Sequence, residues 1–187
     1  NYRERYPETA AFFLPDFPVD AEVKYKDNLM NAYDNSIRYT DNFLARIIHL
    51  LKQQQVDASM LYTSDHGEDI FDDGRHLFLH ASPVPSYYQL HVPLLLWTSD
   101  SYREEYPGIE KAASMNRQKN ISSSISFFQT MMELAGIETP YRNDSLSVTS
   151  PLYTEKSRVY LNDHNDPRPL DDLGMKKQDF QMLEKRN

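Results

Sequence analysis

Residues 61–71 read LYTSDHGEDIF. An apolar run stops there on Asp65, His66, Gly67 and Glu68. A carboxylate supplies hard oxygen and an imidazole borderline nitrogen. Asp65 and His66 therefore suit Zn²⁺ as adjacent ligands, and a carboxylate-rich site also takes Mn²⁺ or another divalent ion. Gly67 is expected to let the backbone turn sharply enough for both side chains to face one ion. Glu68 can orient His66 from behind; its competing role is a negative charge at the start of a helical turn. The whole stretch also has a plainer reading, a polar turn capping the next helix.

Other histidines follow. His80 closes RHLFLH and His91 opens HVPLLLW. Both are expected near the same sheet end, where they could hold phosphate oxygens or protonate a leaving group. His76 follows the turn signal Asp72-Asp73-Gly74 and reads as solvated. His164, in LNDHND, reads as a surface or turn residue, and His49 as a structural residue on a helix.

These residues need elements to position them. Leu29, Tyr33, Ile37, Thr40, Leu44, Ile47 and Leu51 recur at helical spacing, which predicts one long amphipathic helix over about 20–55. Residues 57–64 and 91–97 read as short buried strands, and 157–163 as a third. Residues 99–116 read as partly helical with a break near Pro107-Gly108. A second amphipathic helix is predicted over 121–137, with Ile125, Phe128, Met132 and Ala135 on its face and Gly136 as its stop. Pro7, Pro15 and Pro18 make 1–20 an irregular lead-in, and 165–187 is a charged tail, helical in its latter part. Strands alternating with helices predict an α/β layer structure, whose ligands gather at the carboxyl ends of strands.

Composition narrows the choices. The 187 residues are 40% hydrophobic and 26% charged, which fits a single globular domain. A net charge of −8 argues against non-specific nucleic-acid binding and against adhesion to an anionic membrane. With no cysteine, disulfides and Cys-zinc sites are excluded, so zinc would need His and carboxylate. No apolar run is long enough to span a bilayer and no signal peptide is visible. Residue 1 is Asn, so the chain reads as a portion of something longer.

The order LYTSDHGE, LFLH, HVPLLLW resembles the C-terminal half of the catalytic domain of bacterial phosphoethanolamine transferases, members of the sulfatase/alkaline-phosphatase-like superfamily. NYRERYPETAAFFLPDF resembles the segment after that family's Ser-His-Gly stretch, NAYDNSIRYTDNFLARII its long helix, and ELAGIETPYRNDSLS its end region. The resemblance thus covers nearly the whole chain as part of one domain, 1–187. It implies an alkaline-phosphatase-like (sulfatase) α/β sandwich with a mostly parallel sheet and flanking helices, present here as its C-terminal portion. It implies zinc ligation by Asp65 and His66, with His80 and His91 around the phosphoryl group.

The activity implied is transfer of phosphoethanolamine from a phospholipid donor to a lipid A or glycan acceptor, through a phospho-threonine intermediate. The implied location is the periplasmic face of the inner membrane. The nucleophile and the first two zinc ligands of the family have no counterpart in this sequence, since Thr40 and Thr63 stand in the wrong context. The isolated chain is accordingly expected to be inactive, to bind metal weakly and to self-associate through exposed apolar surface. Two alternatives stay open: a sulfatase or phosphodiesterase of the same superfamily, and a non-catalytic interaction domain.

Overall fold

The structure, a computed structural model, describes residues 1–18, 20–80, 82–161 and 166–184. His164 lies outside the described residues.

The lead-in winds through short 3-10 turns at Tyr2–Arg5 and Glu8–Ala10. The long helix, α1, spans Lys26–Gln54 and stops where Gln55 turns left-handed. Its buried positions are Leu29, Ala32, Asn35, Ser36 and Leu44, so the apolar stripe is interrupted. Ile37, expected inside, is 52% exposed, while Asn35 is fully buried. The reason lies in the lead-in. The Asn35 side chain accepts from the Phe12 and Phe13 amides at 2.8 and 2.9 Å and donates to the Phe13 carbonyl at 2.9 Å. Backbone groups pressed against a helix must find partners, and a buried amide side chain supplies both kinds.

Strand β1, Ser59–Thr63, pairs with β4, Leu94–Thr98, in antiparallel register from Ser59↔Thr98 to Thr63↔Leu94. Between them lie β2, Asp69–Ile70, and β3, Phe78–Leu79, also antiparallel, then the short helix α2, Tyr87–Leu90. The α/β class holds, and this portion contributes antiparallel pairs: every strand pair among the described residues is antiparallel. The connection 64–93 leaves and re-enters the ribbon at one end. Its return strand must therefore run backwards, whereas a parallel neighbour needs a crossover. The second strand also starts later than expected, because α2 takes up residues 87–90 and Pro93 precedes the first paired residue.

Helix α3, Asp100–Glu105, is capped by the Ser99 hydroxyl, which accepts from the Tyr102 amide. Helix α4, Pro107–Asn116, begins on its proline, so the break falls at Tyr106. Helix α5, Ser123–Leu134, is followed by Gly136 at φ 63°, as a left-handed stop requires. Its buried face is Ser126, Thr130, Met132 and Leu134, and Phe128 is 59% exposed. The expected face through Ile125, Phe128 and Ala135 is displaced by the segment 147–150. There the Val148 amide donates to the Thr130 hydroxyl at 3.0 Å and the Thr149 hydroxyl to the Glu133 carboxylate at 2.7 Å. Strands β5, Val159–Leu161, and β6, Pro167–Pro169, form a small ribbon, and α6, Lys177–Glu184, ends the described chain.

A core of Tyr2, Leu29, Ala32, Ile70 and Phe71 joins the lead-in, α1 and β2, with Met30, Tyr33 and Phe78 packed against it. No described helix is long and apolar enough to cross a membrane.

Candidate metal centre

Strand β1 ends at Thr63 and delivers Asp65 and His66 at its carboxyl end. The Ser64 hydroxyl donates to the His66 carbonyl at 2.7 Å, and the His66 amide donates to the Asp65 carboxylate at 3.0 Å. The Asp65 side chain is 86% exposed, with an oxygen 3.7 Å from His66 Nε2. Slight burial pushes its carboxyl up, but the His66 amide, the His66 ring and Ser64 outweigh this and hold it below the usual carboxylate range. His66 Nδ1 lies 2.9 Å from the Gly67 carbonyl, which can only accept. That assigns the proton to Nδ1 and leaves Nε2 free to ligate.

Gly67 is required for a different reason from the sharp turn expected of it. A Cβ there would meet the Tyr88 carbonyl oxygen at 2.0 Å, and the Gly67 amide donates to the Gln89 carbonyl at 2.8 Å. The glycine lets α2 lie directly on the ligand loop.

The β2–β3 hairpin carries the other two groups. Asp69 pairs with Leu79, so Glu68 and His80 emerge side by side from its root. His80 Nδ1 lies 3.2 Å from the Glu68 carboxylate, and the His80 ring lies over the His66 ring at 3.8 Å. Glu68 therefore holds His80, not His66 as the residue order suggested. One nitrogen of each histidine and one Glu68 oxygen lie within 4.8 Å of one another. The His66 imidazole and the Glu68 carboxylate are donors that zinc accepts, Asp65 lies near enough to His66 to join them, and His80 stands beside them.

Beside this cluster opens a cavity of about 310 Å³, lined by Arg5, Tyr33, Ser36, Ile37, Thr40, Tyr62 and Ser64 together with Asp65, His66, Glu68 and His80. Burial and the Glu68 charge push the Tyr33 hydroxyl up, so it faces the cavity as a neutral group. Arg5 forms no ion pair among the described residues; its guanidinium lies over the Tyr2 ring at 5.3 Å.

His91 is placed elsewhere. It caps the end of α2, stacks on Tyr87 at 4.9 Å and shares a 2.9 Å hydrogen bond with the Tyr87 hydroxyl, outside the cavity lining. His76 is exposed in the hairpin turn, and His49 is exposed on α1 beside Gln53. Thr40 lines the cavity, but its hydroxyl donates to the Ser36 carbonyl at 3.0 Å. Sequence reasoning passed over Arg5 and treated Tyr33 as part of an apolar stripe. Nothing in their local sequence marks them; only the packing of the lead-in across α1 does.

The family model described as Sulfatase matches residues 1–137. The chain belongs to the sulfatase family. Among curated members of its neighbourhood, phosphoethanolamine transferase EptA of Escherichia coli (strain K12) is 33% identical over 146 residues, 75% of this chain and 26% of that protein. The Kdo(2)-lipid A phosphoethanolamine 7''-transferase of the same strain is 30% identical over 75% of this chain and 25% of that protein. The crystal structure of the C-terminal periplasmic domain of EcEptC from Escherichia coli in complex with Zn superposes with a TM-score of 0.75 at 26% identity, covering 92% of this chain and 49% of that one. This sulfatase-family chain thus spans about a quarter of the length of the curated relatives, 26% for EptA, and about half of the solved domain, 49%.

Proposed function

We propose that this chain forms the histidine and carboxylate side of a metal-dependent phosphoethanolamine transferase. The reaction moves phosphoethanolamine from a phospholipid to a lipid A or glycan acceptor through a phospho-threonine intermediate, at the periplasmic face of the inner membrane. The attacking threonine is assigned to sequence outside these residues.

The observation that carries this reading is the grouping of His66, Glu68 and His80 within 4.8 Å beside a polar cavity. Asp65, His66 and Glu68 would hold a divalent ion, zinc or a similar metal, whose charge would neutralise that of the phosphoryl oxygens. Arg5 lines the same space with a cation that makes no ion pair among the described residues and suits a phosphoryl oxygen. Tyr33 offers a neutral hydroxyl donor. His80, oriented through Nδ1 by Glu68, presents its other nitrogen for hydrogen bonding or proton delivery to a leaving oxygen. His91 is kept as a phosphate-contacting candidate reached from the end of α2. The transferases among the relatives support the reaction class, and none of the features above favours hydrolysis.

The test uses the whole protein that contains this chain, incubated with phosphatidylethanolamine and examined by mass spectrometry for phosphoethanolamine esterified to a threonine. The adduct is expected in the wild type and absent in Asp65→Ala, with His80→Ala and His91→Ala assigning the two histidines. No adduct, with cleavage of an aryl sulfate or a simple phosphodiester instead, would make the protein a hydrolase.

A further inference from the structure

We propose that Asp179, on α6, is a positioning residue for the Glu68–His80 pair. Its functional meaning rests on the reading of that pair as part of the metal centre; its geometry does not.

The hairpin that carries the pair is poorly suited to hold its own shape. Phe71, His76 and Leu79 adopt φ of 55°, 52° and 62°. Side chains with a Cβ disfavour that region, and bulky ones such as Phe71 and Leu79 are outliers there. A conformation of this kind persists only when the surroundings over-determine it. The strands themselves are two residues each, too short to impose it.

The core holds Ile70 and Phe71 at the base, and the tip is restrained from the far end of the chain. Arg75, at the hairpin tip, is gripped on one side by Asp73, with Nε 3.0 Å from a carboxylate oxygen. On the other side it meets Asp179 in a two-pronged pair, Nη1 and Nη2 donating at 2.7 and 2.8 Å across 104 residues of sequence. Gln178 adds a 2.8 Å hydrogen bond to Asp73. Asp179 is fully buried and also accepts from the Tyr87 amide at 3.0 Å and the Lys176 amide at 3.1 Å.

Tyr87 opens α2, and α2 holds the hairpin root. The Ser86 hydroxyl donates to the Asp69 carboxylate at 2.7 Å, and the Gln89 carbonyl takes the Gly67 amide at 2.8 Å. One buried carboxylate therefore ties the tip of the hairpin to the helix that clamps its base. Glu68 and His80 lie inside that closed loop of contacts. Asp179 does not line the cavity, so it acts through Arg75 and α2.

The test compares hydrogen exchange, followed by mass spectrometry, in the whole protein carrying wild-type Asp179, Asp179→Asn, Asp179→Glu or Gln178→Ala. In Asp179→Asn, exchange across 69–79 is expected to rise about 10-fold or more, with α5 unchanged. Zn²⁺ affinity, read by chelator competition, is expected to fall about 10-fold, the low end of what losing a direct partner of a metal ligand costs, because Asp179 acts one step further out. Asp179→Glu should recover part of both, and Gln178→Ala should show the exchange effect in weaker form. Unchanged exchange across 69–79 would overturn the proposal. So would an equal rise across the hairpin, β1 and α5, which would mean a general loss of stability. If the hairpin loosens as expected but no threonine adduct ever forms, the positioning role stands and the transferase reading falls.

Discussion

His80 sits 3.2 Å from the Glu68 carboxylate because Asp69 pairs with Leu79, one residue inward on each strand. The pair is a product of hairpin register, and the register binds two residues twelve positions apart into one unit. Glu68 is nearly buried, with 8% of its side chain exposed, so its charge is directed at His80 and the cavity, away from bulk water. Replacing it with Gln keeps the shape and removes the charge. Glu68→Gln is expected to weaken Zn²⁺ binding about 10-fold or more with the far-ultraviolet circular dichroism unchanged, by chelator competition. Equal zinc affinity in the variant would remove Glu68 from the centre.

Gly67→Ala brings a Cβ against the Tyr88 carbonyl, a backbone atom that cannot rotate away. Either the ligand loop or α2 must shift. We expect a loss of about 1–3 kcal/mol, the usual cost of overpacking, in urea unfolding. A variant as stable as the wild type would show that α2 yields freely and does not clamp the loop.

Acid should loosen the grip of α6. The Arg75 guanidinium holds Asp73 below the usual carboxylate range. Burial alone would raise Asp179, but Arg75 and the Tyr87 and Lys176 amides outweigh it, and its carboxyl is also lowered. A carboxylate lowered by folding contributes stability above its unfolded pKa, about 4, and loses it as pH falls through the lower folded value. Unfolding free energy should therefore decline as pH drops below about 4, and the decline should be shallower in Asp179→Asn. Urea titrations from pH 6 to pH 2 would measure both slopes; identical slopes would mean that Asp179 titrates alike in the folded and unfolded chain.

Asn35→Ala strips the lead-in of its anchor. The side chain serves the Phe12 and Phe13 amides and the Phe13 carbonyl, groups that would be left without partners. A loss of roughly 3 kcal/mol is expected, from leaving buried polar groups unsatisfied. Limited proteolysis should also cut first within residues 11–18. Uniform cutting along the chain would place the lead-in among parts that do not depend on Asn35.

The residues themselves announced a good part of this molecule. The long helix was legible because its spacing persists over many turns, and the β1 end was legible because Asp65, His66 and Glu68 interrupt an apolar run around a glycine. What stayed hidden depends on partners distant in sequence. Gly67 is set by Tyr88, the α5 face by residues 147–150, and the buried Arg75–Asp179 pair reads locally as two solvated charges. Strand direction was hidden for a related reason. It depends on where a thirty-residue connection returns, and an apolar strand looks the same read either way. His80 and His91 were both candidates in the sequence, yet of the two His80 alone reaches the cavity lining, because α2 intervenes before His91.

The β1–β4 ribbon also governs how this polypeptide will behave in a crowded tube. Each strand has one neighbour and, among the described residues, no strand on its other side. Such borders present rows of amide and carbonyl groups to any passing ribbon, and backbone recognises backbone whatever the side chains. Stacking of that kind grows with encounter frequency. For this chain handled alone, dilution rather than cooling should keep the solution clear, and light scattering should climb with protein concentration well before any melting transition.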